Sequence, residues 1–178
     1  MSRIGNRKLT IPASVTLDVN DSKVIVKGSK GTLELAIPTE IKVEVNEGVV
    51  VVTRSNETKK AKQLHGTINA LISNMLIGVS EGYKKELEIV GVGYRFNVSG
   101  NKITISAGHS HPDILEVPAG LTVESPSNTE LNISGIDKCL VGEFSAKVRE
   151  VRPPEPYKGK GIKFKGEQIR RKEGKKAS

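Results

Sequence analysis

The feature that most constrains the fold of this chain is an internal repeat with a spacing of about 80 residues. Short motifs recur in the same order in the two halves, at offsets of 79 or 80. The matched motifs are Lys23–Val26 with Lys102–Ile105, Ile37–Pro38 with Val117–Pro118, Ile41–Val43 with Leu121–Val123, and Val51 and Thr53 with Leu131 and Ile133. A shared order at a near-constant offset indicates duplication of one folding unit. We therefore expect two similar domains rather than one large core.

Hydrophobic periodicity predicts the elements of the repeated unit. Alternating apolar and polar residues, bounded by Gly, Pro or Asn-Asp, are typical of antiparallel strands with one buried face. The pattern predicts strands at Val15–Val19, Lys23–Lys27, Thr32–Ile37, Ile41–Val45 and Val49–Thr53. The apolar spacing then changes to three and four residues, which predicts an amphipathic helix from about Glu57 to Val79. This helix is expected to cover one face of the sheet.

The second half repeats this order up to a proline-rich boundary. Asp137 is a candidate N-cap of a second helix. The apolar stripe of that helix comprises Val141, Phe144, Val148 and Val151. Pro153 and Pro154 are expected to end it, because proline lacks the amide donor and disfavours helical backbone in the residue before it. The sequence thus predicts an α+β fold of two duplicated small domains, each an antiparallel sheet packed against one helix. They occupy residues 1–82 and 83–156, and a basic C-terminal extension follows at residues 157–178.

The positive charge of the chain is concentrated at its C-terminal end. Residues 1–146 contain 16 Lys and Arg against 16 Asp and Glu, whereas residues 147–178 contain 12 against 4. The net charge of +8 therefore lies entirely in the last segment, which favours a polyanionic partner. The alternating Lys and Gly residues from Tyr157 to Gly166 are not expected to build a core, so we expect the partner to order this segment.

The extension has the chemical groups that phosphate binding needs. Ammonium and guanidinium groups are dense, and the glycines between them let backbone amides approach phosphates. The candidate RNA-binding residues are Tyr157, Lys158, Lys160, Lys163, Lys165, Arg170, Arg171, Lys172, Lys175 and Lys176. Single-strand binders stack bases on aromatic side chains, and only Tyr157 and Phe164 are available here, which favours a structured RNA recognised by its shape and backbone. The alternative is a solubilising basic tail without a specific partner.

Two further groups are candidates for RNA contacts on the second domain. Arg149 and Arg152 share the last turn of the second helix, although a cation at a helix C-terminus is also favourable by itself. Arg95 is expected to project from a strand in which Gly91 and Gly93 mark a bulge or a close backbone contact.

His109, Ser110 and His111 form the remaining candidate site. Two imidazoles on one side of an extended segment have a spacing that metals use, but a zinc site needs further ligands, so loop groups that contact phosphate or base edges are favoured. His65 is interpreted as a packed or capping residue, and Cys139 as a buried structural thiol. No nucleophile, base and orienting group can be assembled, so no enzyme, metal or cofactor is expected.

Other features restrict where the protein acts. The single cysteine cannot form an internal disulfide, which is typical of a reducing cytoplasm. No apolar run reaches the roughly 20 residues of a membrane span, and the N-terminus lacks the apolar region of a secretory signal. Aromatic residues make up only 3% of the chain, which counts against a deep small-molecule pocket.

The segment around the proline-rich boundary has a distinctive sequence, since Val151–Ile162 reads VRPPEPYKGKGI. Further distinctive motifs are Ser2–Gly5, Ile11–Pro12, Leu64–Thr67, Asn74–Met75, Gly82–Tyr83, Val90–Arg95, Ser110–Pro112 and Lys172–Lys175. In these motifs, over essentially its whole length, the chain resembles the bacterial large-subunit ribosomal protein family L-six. It departs from that family at His109, where Tyr is frequent, at Cys139, where Gln is frequent, and near Asn69, where a basic residue is frequent.

The resemblance implies binding to large-subunit ribosomal RNA, mainly through the second domain and the tail. It also implies neighbouring large-subunit ribosomal proteins as partners and a cytoplasmic location in the large ribosomal subunit. The position would be near the sarcin–ricin region and the stalk base, where translation factors dock. Neither membrane contact nor self-association is expected. The alternative from another class is a free RNA- or DNA-binding regulator that uses the same tail, and an enzyme that uses His109, His111 and Cys139 is the least supported.

Overall fold

The computed structural model describes residues 3–20 and 22–174. These residues cluster into two compact units. The first comprises the residues up to Tyr83 together with Ile136–Lys138, and the second comprises Lys84–Gly135 and the residues from Cys139 onward. Neither helix found in the described residues has the length and apolar character needed to cross a membrane.

The first unit consists of two three-stranded sheets and one helix. Its elements are β1 (Leu9–Thr10), β2 (Thr16–Asn20), β3 (Lys23–Gly28), β4 (Gly31–Ala36), β5 (Ile41–Asn46), β6 (Val49–Arg54) and α1 (Lys59–Ser80). The strand orders are β2-β3-β4 and β1-β6-β5, and all neighbours are antiparallel. The five predicted strands and the helix are confirmed, with ends shifted by one or two residues.

The core of the first unit joins both sheets to α1. Val24 and Val26 of β3, Val50 of β6, and Ile72 and Val79 of α1 are fully buried in one cluster. The alternation along the strands and the helical spacing in α1 place these residues on facing surfaces. Burial of each such side chain contributes about 1.5–3 kcal/mol, and the cluster therefore holds the helix against the sheets.

The second unit repeats this architecture. The elements in this part of the chain are β7 (Tyr83–Val90), β8 (Arg95–Ser99), β9 (Lys102–Ser106), β10 (Asp113–Glu116), β11 (Leu121–Ser127), β12 (Glu130–Gly135), α2 (Lys138–Val151) and β13 (Gly161–Phe164). The order β8-β9-β10 corresponds to β2-β3-β4, and β7-β12-β11 corresponds to β1-β6-β5. The predicted α+β fold with duplicated sheet-and-helix units is confirmed. As predicted, α2 ends before the prolines, but its last residue is Val151, so the prediction that Arg152 lies on its last turn is wrong.

The predicted correspondence of Val51 and Thr53 with Leu131 and Ile133 is wrong by one residue. Thr53 was matched with Ile133 at an offset of 80, but Ile133 is fully buried and Thr53 is exposed. The buried counterpart of Ile133 in β6 is Val52. Likewise, the buried counterpart of Leu131 is Val50 rather than Val51. The cause is an irregularity in β11, where the register with β12 shifts between Glu124 and Ser127 and one extra residue is accommodated. Because side chains alternate between faces, such a slip exchanges buried and exposed positions.

The segment that follows the second helix is part of the fold. β13 pairs antiparallel with β7, with Ile162 opposite Ile89, and the side chain of Ile162 is fully buried. A Cβ on Gly161 would lie 2.6 Å from the carbonyl oxygen of Pro153, so only glycine fits there. The expectation that alternating Lys and Gly residues contribute nothing to a core is therefore wrong. β13 adds a fourth strand to a sheet whose counterpart in the described first unit has three.

Replacement of Ile162 by alanine should destabilise the second unit by about 3 kcal/mol, because it leaves a cavity in a fully buried site. Ile114→Ala is the matched control, since Ile114 is 62% exposed and should change the free energy of unfolding by less than about 0.5 kcal/mol. Urea unfolding, with hydrogen exchange to assign the transition to β7 and β13, measures both. Equal stability of the two variants would show that β13 does not contribute to the core.

Candidate nucleic-acid interface

The basic residues between positions 147 and 174 fall into two groups. The first group forms ion pairs, namely Lys147 with Glu143, Arg149 with Glu167, Lys163 with Glu88, and Lys165 with Glu86. The second group has no ion pair with any residue that the structure describes and comprises Arg152, Lys158, Lys160, Arg170, Arg171 and Lys172. All members of the second group are exposed. The structure therefore separates cations that are neutralised within the fold from cations that are free to bind an anion.

The paired lysines attach β13 to β7. Lys163 lies opposite Glu88 in the strand register, and its Nζ is 2.7 Å from Glu88 Oε1. Lys165 Nζ is 3.2 Å from Glu86 Oε2, and this hydrogen bond is the main reason that the pKa of Lys165 is raised. The pKa of Glu86 is lowered, first by its hydrogen bond from Lys84 and then by that from Lys165. Lys163 of β13 and Lys165 just after it were both predicted RNA contacts, and both are neutralised by acids of β7.

Arg149 is held by a bidentate ion pair. Its Nε and Nη2 donate to the two carboxylate oxygens of Glu167 at 3.1 and 2.6 Å, and the Phe164 amide donates to Glu167 Oε2 at 3.0 Å. The hydrogen bond from Arg149 lowers the pKa of Glu167, and in turn raises the pKa of Arg149. The Arg149 guanidinium also lies 6.0 Å from the Phe164 ring centroid. Arg149 therefore joins the end of α2 to the turn after β13.

Four of the unpaired cations line two shallow grooves of the second unit. One groove is lined by Tyr94, Arg152, Glu155, Tyr157, Lys158 and Lys160. The other shares Lys158 and is also lined by Val90, Gly159, Lys163, Glu167, Gln168, Ile169 and Arg171. We call Tyr94, Arg152, Tyr157, Lys158, Lys160 and Arg171 the basic surface. Two tyrosines among four cations that lack ion pairs with the described residues can bind phosphates and contact the sugars or bases beside them.

Backbone hydrogen bonds shape the loop that presents this surface. The Glu155 amide donates to the Lys160 carbonyl at 2.9 Å, which closes the loop between them. Gly159 has a φ of 74°, in the left-handed region that glycine adopts without strain. The Lys172 amide donates to the Pro156 carbonyl at 2.9 Å, so the end of the described chain returns to this loop. The basic surface is thus largely ordered before any partner binds.

Tyr94 is a residue of the surface that sequence reasoning did not select. Its ring packs against two glycines, since a Cβ on Gly91 would lie 2.5 Å from Tyr94 Cδ2 and one on Gly108 would lie 2.7 Å from the Tyr94 hydroxyl oxygen. The predicted close contact at Gly91 is confirmed, but Gly91 and Gly93 lie in the turn between β7 and β8 rather than inside a strand. The sequence signal that could have identified Tyr94 was the pair of glycines just before it, Gly91 and Gly93. Arg95, the next residue, is exposed at the start of β8, as predicted.

His109, Ser110 and His111 are exposed in the loop between β9 and β10, as expected. The loop is bent, so the extended geometry considered for a metal site is wrong. His109 Nδ1 lies 2.7 Å from Asp113 Oδ2, and no group of three or more His, Cys, Asp or Glu side chains in the described ranges could hold a metal ion. Gly108, in the same loop, packs against the ring of Tyr94 in the basic surface.

Three predictions concern residues away from this surface. Cys139 is exposed, so its interpretation as a buried thiol is wrong. His65 is 2% exposed and its Nε2 lies 2.8 Å from the Val52 carbonyl oxygen, so its interpretation as a packed residue is confirmed. The predicted contacts at Lys175 and Lys176 lie outside the described residues.

A duplicated α+β chain with exposed, unpaired Lys and Arg side chains around tyrosines is typical of a nucleic-acid-binding protein. The family model described as Ribosomal protein L6 matches residues 11–82 and 90–165, which correspond to the two repeats. The chain belongs to this family, and the resemblance seen in the sequence motifs is confirmed. The second matched segment includes β13.

Curated relatives match over nearly the full length of both chains. The chain is 56% identical over 178 residues to the large ribosomal subunit protein uL6 of Metamycoplasma arthritidis, covering 100% of this chain and 99% of the relative. It is 57% identical over 177 residues to the protein of the same name from Spiroplasma kunkelii, covering 99% of each. The uL6 protein of Streptococcus pneumoniae serotype 4 is 51% identical over 175 residues, and 98% of each chain is covered.

Replacing Arg149 and Glu167 by glutamine, singly and together, should reveal a coupling energy of about 1 kcal/mol at pH 7, because the pair is partly buried and bidentate. Glu167 has a lowered pKa in the folded state. The stabilisation that Glu167 contributes to the folded state is therefore complete above its unfolded-state pKa of about 4.3. It is lost as the pH falls through the lower pKa of Glu167 in the folded state. Urea unfolding of the four proteins between pH 3 and 7 measures this dependence.

The exposed pair of Lys147 and Glu143 on α2 is the control for that cycle. It should show a smaller coupling that falls further when salt is added, since exposed ion pairs are screened. A coupling between Arg149 and Glu167 no larger than the control would mean that this ion pair does not hold the segment.

Proposed function

We propose that this chain is a structural component of the large ribosomal subunit that binds large-subunit ribosomal RNA through the basic surface of its second unit. Membership of the ribosomal protein L6 family supports the proposal, as do relatives at 51–57% identity that are named large ribosomal subunit proteins. The partners are then ribosomal RNA and neighbouring ribosomal proteins, and the protein acts within the ribosome.

The observation that carries the RNA-binding part is the set of unpaired cations on an ordered support. Acids of neighbouring strands neutralise Lys163 and Lys165, yet none of the described acids pairs with Arg152, Lys158 or Arg171. A cluster of unpaired charges in a folded unit opposes folding through mutual repulsion. Such a cluster is explained by a polyanionic partner, which neutralises the charges when it binds.

The geometry suits a structured RNA. Lys158 and Lys160 lie on a closed loop and would contact successive phosphates, while release of condensed cations from the RNA drives binding. Tyr157 is 56% exposed beside them and can pack on a ribose or base. Because the loop is already tied by backbone hydrogen bonds, binding orders few additional residues and less conformational entropy is lost.

The other predicted RNA contacts have one of two roles in this proposal: some hold the segment in place, and others would bind additional phosphates. Arg149, Lys163 and Lys165 hold the segment in place and add to its positive potential. Additional phosphate contacts would come from Arg170, Lys172, Lys175 and Lys176 at the C-terminal end, and from Arg95, His109, Ser110 and His111 at the border near Tyr94.

The family resemblance extends the proposal to the position and setting of the protein. We infer a cytoplasmic ribosome as its location, with the basic surface near the sarcin–ricin region and the stalk base, where translation factors dock. The role is structural rather than enzymatic, and the chain contacts RNA and ribosomal proteins rather than a second copy of itself. A free nucleic-acid-binding regulator would instead separate from the large subunit during washing in moderate salt.

The variant K158Q/R171Q should bind large-subunit ribosomal RNA about tenfold more weakly at 0.2 M salt, because two phosphate contacts are lost. The slope of log affinity against log salt should fall by about 1.4–1.8, since each contact contributes about 0.7–0.9. Fluorescence anisotropy with RNA transcribed in vitro, over a series of salt concentrations, gives both quantities.

The control is K102Q/K147Q, which removes the same charge from two exposed, ion-paired lysines of the second unit. Its slope of log affinity against log salt should match that of the unmodified chain. A slope lowered as much as in K158Q/R171Q would show that net charge, rather than the basic surface, determines RNA binding. Point substitutions are preferable to a chain that ends at Pro156, because such a chain also lacks β13 and its buried Ile162.

A further inference from the structure

The N-terminal segment of the first unit is fixed on the surface of α1 although its own side chains are exposed. Gly5 is buried, and the exposed residues of the segment are Arg3, Ile4, Asn6, Arg7 and Lys8. The Arg7 amide donates to the Ile4 carbonyl at 3.2 Å, so the backbone makes a turn here. A segment that contributes so little apolar surface to the core needs another reason to be held in one conformation.

Two buried polar side chains of α1 hold this segment. Asn69 is 1% exposed, and its Nδ2 donates to the carbonyl oxygens of Gly5 at 3.0 Å and Arg7 at 2.8 Å. The ring of His65 lies against Gly5, where a Cβ would be 2.4 Å from His65 Nδ1. The ring is fixed in turn by its 2.8 Å contact with the Val52 carbonyl oxygen.

The stability of the core does not explain why a polar residue, Asn69, is buried on α1. The residue follows the buried Ile68 on the apolar face of α1, where an aliphatic side chain would normally stand. Its Oδ1 is buried and has no hydrogen-bond partner among the residues that the structure describes, which is unfavourable in a protein interior. The two hydrogen bonds that Asn69 donates to the N-terminal segment offset this unfavourable burial.

The segment presents positive charge that is not neutralised within the described chain. The lysines and arginines that form ion pairs in the first unit are Lys23, Lys27, Arg54, Lys60 and Lys62. By contrast, Arg3, Arg7 and Lys8 have no ion pair with any described residue, and they lie within six positions of one another. Ile4, 60% exposed, lies between the two arginines in sequence and lines a shallow apolar groove with residues of α1.

We propose that residues 3–8 form a second RNA-binding site, in which Arg3, Arg7 and Lys8 bind phosphates and Ile4 contacts a ribose. This inference rests on the proposed function and adds a contact on the first unit, where residues 1–82 contain 11 Lys and Arg against 8 Asp and Glu. Asn69 and His65 are positioning residues for this site. By fixing the backbone before RNA binds, they lower the entropy that is lost on binding.

The test compares R3Q/R7Q with K27Q/K42Q, which removes the same charge from exposed strand residues of the same unit. Binding of the full chain to in vitro transcribed large-subunit ribosomal RNA is followed over a salt series. R3Q/R7Q should lower the slope of log affinity against log salt by about 1.4–1.8 and weaken binding about tenfold at 0.2 M salt. K27Q/K42Q should leave the slope unchanged.

A third variant, N69A, separates positioning from contact. It keeps all three cations but removes both hydrogen bonds that fix the segment. Affinity should fall about threefold with an unchanged salt slope, because the same phosphates are contacted after a larger loss of entropy. Circular dichroism of each free variant verifies folding, and if N69A does not fold, R3Q/R7Q still decides the question.

The outcomes distinguish this inference from the proposed function. If K158Q/R171Q lowers the slope and R3Q/R7Q does not, the N-terminal site fails while RNA binding by the basic surface stands. If neither variant changes the slope, the proposed function fails as well. If R3Q/R7Q leaves RNA binding unchanged but reduces incorporation into the large subunit, the segment contacts a ribosomal protein, and the RNA site is overturned.

Discussion

The pairing of β13 with β7 is the interaction on which the basic surface depends. Two acids of β7, Glu86 and Glu88, face lysines of a segment about 75 residues later in the chain, and Ile162, just before those lysines, enters the core. Burial of Ile162 supplies the stability, whereas the partly exposed ion pairs mainly favour the correct register. Once this strand is in place, the loop before it and the turn after it have fixed ends. The cations on them can then be presented in one geometry.

Charge has two separate uses in this segment, and composition cannot distinguish them. The 12 lysines and arginines of residues 147–178 have the same formal charge, but whether one is neutralised depends on acids that the fold brings across from β7 or from the turn after β13. Lys163 and Lys158 are only five positions apart, yet the first is ion-paired with Glu88 and the second lines two grooves without a described acidic partner. The net charge predicted a polyanionic partner, and membership of the ribosomal protein L6 family supports that prediction. The fold decides which residues meet it.

Local patterns in the sequence predicted most of the fold, and the errors have physical causes. The strands of the first unit and both helices were predictable because period-two and helical spacing arise from neighbouring residues. β13 was missed because it has four residues, of which one is glycine and one is lysine, so its strand character comes from pairing with β7. The one-residue error at Thr53 reflects an irregularity in β11, which no periodicity reveals in advance. Tyr94 belongs to the surface only because the β7–β8 turn and Gly108 meet around its ring.

Comparison of the two units suggests why duplication was useful here. The shared strands and helix form a scaffold, and each unit carries one segment that the other lacks in the described structure: residues 3–8 on the first and residues 157–174 on the second. Both segments present unpaired cations, and both are tied to the scaffold through a buried residue, Asn69 in one case and Ile162 in the other. A duplicated core provides two folded supports, and segments attached to them can then acquire binding residues. Binding chemistry on this chain is therefore expected where the repeat symmetry is broken, rather than at positions the two units share.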